Sequence, residues 1–202
     1  MLFLAAEKYF ENVGYVVRDF AHAVRIATQK PLRLESGFQK VLDELLDKKH
    51  SLIPDIQNSG KWKAILQSIQ KEILRIPGMR LPGCLKIVLR HLSFARQRMD
   101  SSSDPLAKIC CMLLPVALLL SLISCDERCL KDQRDRAIEM LKQFKPKFML
   151  QAGVAADWGL VGTAFLRLFD KLDHDIACSE EEVIEFYQTI TSCFIKGVFF
   201  SG

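Results

Sequence analysis

The sequence predicts an all-α protein of about eight helices. Two observations carry that reading. Apolar residues recur at i, i+3, i+4 and i+7 in nearly every segment, the period of a helix with one buried face. No segment keeps the strict alternation of a half-buried strand; the short KGVFFSG near the end is the one stretch to watch. The chain has 202 residues, half of them hydrophobic and 26% charged. That is enough for a single domain over residues 1–202 with its own core, and it argues against disorder.

The elements follow in order. Residues 2–29 carry Tyr9, Phe10, Val13, Val16, Val17, Phe20 and Val24 at helical spacing, with Pro31 as the stop. Residues 36–48 place Phe38, Val41, Leu42, Leu45 and Leu46 on one face. SLIPDIQNSG, with Pro54, Asn58 and Gly60 as breakers, reads as a loop. Residues 61–75 bury Trp62, Ile65, Leu66, Ile69 and Ile73. IPGMRLPG is a double Pro-Gly turn, and 84–99 is the next helix. Then come 104–125, opened by Ser103 or Asp104 as cap with Pro105 in the first turn, and 127–144. The latter turns Leu130, Ala137, Ile138, Leu141 and Phe144 inward and ends at Pro146. QAGVAADWG reads as a loop or frayed start before a helix over 158–172. Ser179 and Glu182 form a capping box for the last helix, and Glu180 and Glu181 suit its positive end.

Taken in pairs, the helices repeat near the 40–47 residues of HEAT-like or armadillo-like units, without internal sequence similarity. An antiparallel bundle around helix 104–125 fits the composition slightly better, because that helix is much more apolar than its neighbours. Its stretch ICCMLLPVALLLSLISC carries no charge. As a helix it would span about 26 Å, against about 30 Å of hydrocarbon in a bilayer. Pro115 falls near its middle, and acidic residues flank it. A buried core helix is the expectation; a membrane anchor, or a helix that inserts on a trigger, is the alternative.

Seven cysteines, an odd number without a CxxC pair, read as reduced core thiols of an intracellular protein, cytoplasmic or nuclear. The N-terminus is apolar for only six residues before Glu7 and Lys8, so no secretory signal is expected.

Charge is unevenly spread. Residues 61–98 hold nine Lys or Arg and one acid, Glu72, a net +8 in a chain of net +4. Residues 170–185 hold seven acids and Lys171, a net −6. Lys63, Gln67, Lys71 and Arg75 form a polar stripe on one helix, and Lys86, Arg90, Ser93 and Gln97 another on the next. An antiparallel pairing would merge them into one basic patch. Such a patch suits a partner protein with an acidic surface, and also nucleic acid, an anionic membrane, or the acidic segment of a second copy. Nucleic acid is the weaker fit, because stacking aromatics and a helix-turn-helix are missing. The C-terminal helix spreads apolar residues over most of its circumference and reaches Phe199 and Phe200, which points to a dry contact.

No phosphate loop, nucleophile elbow or zinc-spaced Cys/His set occurs. His22, His50 and His91 are scattered. His174 and Cys178 are four apart, as helical metal ligands can be, but sit in an acidic turn; Cys125 and Cys129 have no nearby histidine. The expectation is therefore no enzyme, no cofactor and no metal. It is an interaction module, a scaffold or adaptor subunit. The proposed contacts are Lys63, Lys71, Arg75, Lys86 and Arg90 for an acidic partner, and Phe199 and Phe200 for an apolar one.

Overall fold

The computed structural model describes residues 30–48, 50–77, 92, 102–169 and 179–195. Among them are eight α-helices and no strand: the protein is all-α. The expected helices over 2–29 and 84–99 lie outside the described residues, apart from buried Leu92. Positions 30–34 are helical, so Pro31 sits within helical backbone.

Helix α1 (Ser36–Leu42) starts where the Glu35 carboxylate accepts the Phe38 backbone N–H at 2.8 Å. It relaxes into a π-type turn over Asp43–Asp47. Val41, Leu42, Leu45 and Leu46 are buried along the two together, as their spacing requires.

The segment expected as a loop is instead α2 (Leu52–Asn58). Pro54 is its third residue, where the amide needs no intrahelical acceptor. Burial of Leu52, Ile53 and Ile56 holds it in place. Helix α3 (Gly60–Arg75) follows after one residue, Ser59, whose hydroxyl accepts the Trp62 N–H at 3.2 Å. It buries Trp62, Leu66, Gln70 and Ile73, with Ile65 and Ile69 partly covered.

Helix 104–125 is also corrected. It is two helices, α4 (Ser103–Cys111) and α5 (Leu113–Cys125), bent by 81° at Met112. Pro115 has no N–H for the Cys111 carbonyl, and its ring crowds that oxygen, so the helix cannot run through. Neither Ser103 nor Asp104 caps α4. Ser102 holds the cap position without a side-chain capping bond to the helix, and Ser103 is the first helical residue. Among the described residues, no single helix is long and apolar enough to cross a membrane; the bent pair passes by length and composition only.

Helix α6 (Lys131–Gln143) buries Ala137 and Met140. Ile138 and Leu130, expected inward, are 39% and 71% exposed. Ile138 lies about 100° round the helix from Ala137, and Leu130 precedes the first turn. Pro146 begins the next helix, α7 (Pro146–Phe169), as its first residue. QAGVAADWG is therefore neither loop nor frayed start but continuous helix. Ala152, Ala155 and Ala156 are buried, and their small size lets α7 lie close against α4 and α1. Gly159 serves the same end: a Cβ there would collide with Ser103. Helix α8 (Ser179–Ile190) continues into a π-type turn, Thr191–Ile195.

Packing then runs α1 on α7, α7 on α4, α5 on α6 and α3, and α2 between α3 and the turn after α1. One continuous core joins Val41, Ile53, Leu66, Ile109, Val116, Met140 and Ala152. Helix α8 lies antiparallel along α7, pinned by two ring pairs: Phe165 stacks on Phe186 at 4.2 Å, and Trp158 meets Phe194 edge-on at 4.7 Å.

Candidate interaction surfaces

Helix α3 presents the described part of the basic stripe. Lys71 and Arg75 are exposed, and Lys63 is half-buried. Arg75 is bridged to Glu72 at 2.7 Å, which offsets part of its charge within one turn of helix. Lys61 is bound to Asp126 at 3.0 Å and is committed to the fold. Lys86, Arg90, Phe199 and Phe200 lie outside the described residues, as does any merging of the two stripes.

A second surface runs along α5. Pro115, Val116, Leu119, Leu120 and Ile123 face the core. The opposite side bares Leu114, Leu118 and Leu122, at 44%, 41% and 54% exposure. Successive members are four residues apart, so they form one apolar row. Helix α3, which carries Lys71 and Arg75, packs on this same helix. Charge was the more visible signal in the sequence. The leucine row was hidden there, because a helix that is apolar all round does not show which side it buries.

The third surface is α8. Phe186, Ile190 and Phe194 are half-buried. Val183, Ile184 and Tyr187 are exposed. The apolar excess noted in the sequence therefore divides into a packed side and a bare one. Between α7 and α8 lies an open cleft of about 330 Å³, with Val161, Phe165 and Phe186 in its apolar wall and Glu182 and Glu185 at its border.

The described cysteines are all unbridged. Only Cys129 is buried, while Cys125 is exposed, so the expectation of core thiols holds for one of these two. Burial pushes the Cys110 thiol up to about 11, reinforced by Cys111 and Asp157, so it stays protonated at neutral pH. Cys129 sits in the turn between α5 and α6, beside Lys61 from the start of α3. The Lys61 Nζ donates to Cys129 Sγ at 3.6 Å, and Sγ donates to Asp126 Oδ2 at 3.6 Å. Asp126 also accepts the Arg128 backbone N–H at 2.9 Å. That bond first, and Lys61 second, hold its carboxyl below the usual range; Asp126 in turn raises the Lys61 amine. Sequence reading missed this cluster because its members lie 68 positions apart. Among the described residues, no group of three His, Cys, Asp or Glu side chains is placed to hold a metal ion.

No protein-family model, curated protein or solved structure matches this chain.

Proposed function

We propose that this protein is a non-enzymatic interaction module, a scaffold or adaptor subunit that docks a partner protein. The observation that carries the reading is the bare row Leu114, Leu118 and Leu122 on a helix packed against basic α3. A contiguous apolar row left exposed, with no described element packed over it, is unfavourable in water and favourable in an interface. The partner this surface fits has an apolar ridge with acidic residues beside it. Lys71 and Arg75 would steer it by charge, and the leucines would supply the desolvated contact.

A charge-reversed variant (Lys71→Glu with Arg75→Glu) and a row variant (Leu118→Ser with Leu122→Ser) test this. Each is compared with wild type by capture from native extract and mass spectrometry. Loss of one stoichiometric partner in both variants, at unchanged helicity, supports the reading. Identical capture lists for all three proteins sink it. A second reading, engagement of an anionic membrane, is favoured by the same leucine row on a helix packed against the one that carries Lys71 and Arg75. It requires wild type to float with anionic vesicles and both variants to stay behind.

A further inference from the structure

The Lys61, Asp126 and Cys129 cluster is a compact set of reactive groups that the interaction surface does not use. An amine and a thiol stand 3.6 Å apart, on segments remote in sequence. The amine already points at the sulfur. The thiol donates its proton the other way, to Asp126. The sulfur therefore keeps its lone pairs on the side of Lys61, and a carboxylate is in place to take its proton. Cys129 is only 6% exposed, but it belongs to a surface turn in which Glu127, Arg128 and Leu130 are exposed. Its cover includes the Lys61 side chain, itself 52% exposed. A small oxidant can reach such a site; a bulky thiol reagent is disfavoured. Asp126, bonded to both groups, holds them in register.

We propose that Cys129 and Lys61 form a reversible covalent bridge, a sulfenamide, when the protein meets hydrogen peroxide. The chemistry runs in two steps. The Cys129 sulfur attacks one peroxide oxygen, the O–O bond breaks, and water leaves with the thiol proton. The sulfur is oxidised by two electrons to a sulfenic acid, and the peroxide is reduced. The Lys61 amine, having shed its ammonium proton to solvent, then attacks that sulfur. The S–N bond forms, the S–O bond breaks, and hydroxide leaves with the amine's proton as a second water. A thiol reverses the bridge by attacking the sulfur and releasing the amine. Asp126 stabilises the ammonium, so closure speeds up as pH rises through the alkaline range. The bridge ties the start of α3 to the turn between α5 and α6. It thereby restrains the two packed helices that carry the basic residues and the leucine row.

The test is peptide mapping of the intact protein after brief treatment with hydrogen peroxide, wild type beside Lys61→Arg. Arginine keeps the charge beside Asp126 but is a far poorer nucleophile, so the variant is expected to fold. In wild type, the peptides holding Lys61 and Cys129 should appear joined. The joined species should weigh two hydrogens less than their sum and be split by dithiothreitol. In Lys61→Arg that species should vanish, and Cys129 should be trapped by dimedone as sulfenic acid. The oxidised wild type should melt at a higher temperature than the reduced protein, with the shift reversed by reductant and absent in Lys61→Arg. Three outcomes overturn the proposal: a Cys129 that stays a thiol in wild type, a Cys129 joined to another cysteine, or equal dimedone trapping in the two proteins.

Discussion

Helices α5 and α7 are both apolar around most of their circumference and both leave leucines exposed, Leu150 and Leu160 on α7 at 69% and 44%, yet they meet their neighbours with side chains of different size. Helix α7 faces its neighbours with alanines and glycine, and elements pack against it from α1, α4 and α8. Helix α5 has leucines nearly all round and packs against α3 and α6, which leaves Leu114, Leu118 and Leu122 bare. Small side chains let backbones approach from several directions, while bulky ones fill one interface and stand out on the other side. Apolar content alone therefore does not locate a buried helix face. Side-chain size, read with position, does.

Substitutions on the two helices test this contrast. The largest effect belongs to the inner side of α5. Leu119 is fully buried, so Leu119→Ala should cost about 2–5 kcal/mol, measured by urea unfolding. A loss below that range would mean that α5 is loosely packed on its inner side. Next is the close approach of α7 to α4. Gly159→Ala forces a methyl into Ser103 and should cost about 1–3 kcal/mol, visible as a lower melting temperature. Gly153, on the same helix, has open space around its Cβ position. Gly153→Ala should therefore go the other way and stabilise by up to about 1 kcal/mol through helix propensity. Opposite signs at two glycines six residues apart would confirm which side of α7 is packed. The outer row of α5 should respond least: Leu118→Lys should change stability by no more than about 0.5 kcal/mol while raising solubility. A loss as large as that of Leu119→Ala would show that the row is covered.

Two chemical tests complete the set. Cys125 is exposed, and the Cys110 thiol is pushed up to about 11. A maleimide at neutral pH should label Cys125 well before Cys110, and unfolding should abolish the difference. The Asp126 carboxyl lies below its ordinary 3.8. The unfolded chain therefore binds this proton more readily, and the stability Asp126 adds is present above that value. It is lost as pH falls through the lower folded value. Wild type and Asp126→Asn should differ in melting temperature at neutral pH and converge in acid.

Much of the secondary structure was legible in the sequence because burial imposes a period. Val41, Leu42, Leu45 and Leu46 predict one face and share it in the structure, as do Trp62, Leu66 and Ile73. The misreadings cluster at prolines and glycines. Pro54 and Pro146 looked like breakers or stops but lie in first turns, where a missing amide costs little. Pro115 falls near the middle of what reads as one helix but sits next to a bend of 81°. Gly153 falls in a stretch that reads as a loop or frayed start, and Gly159 at the expected start of the next helix, but both lie in one continuous helix, Gly159 at a crossing. A proline or glycine has opposite meanings in a first turn and mid-helix, and the local sequence does not state which applies.

The all-α class, the periodic core faces and the uneven charge are written in the sequence, since each follows from residue type and spacing along one element. Which side of α5 stays bare, the tie of Lys61 to Asp126 and the place of Cys129 beside that amine emerge only on folding. These depend on contacts between elements far apart in the chain, where packing geometry and not local spacing selects the neighbour.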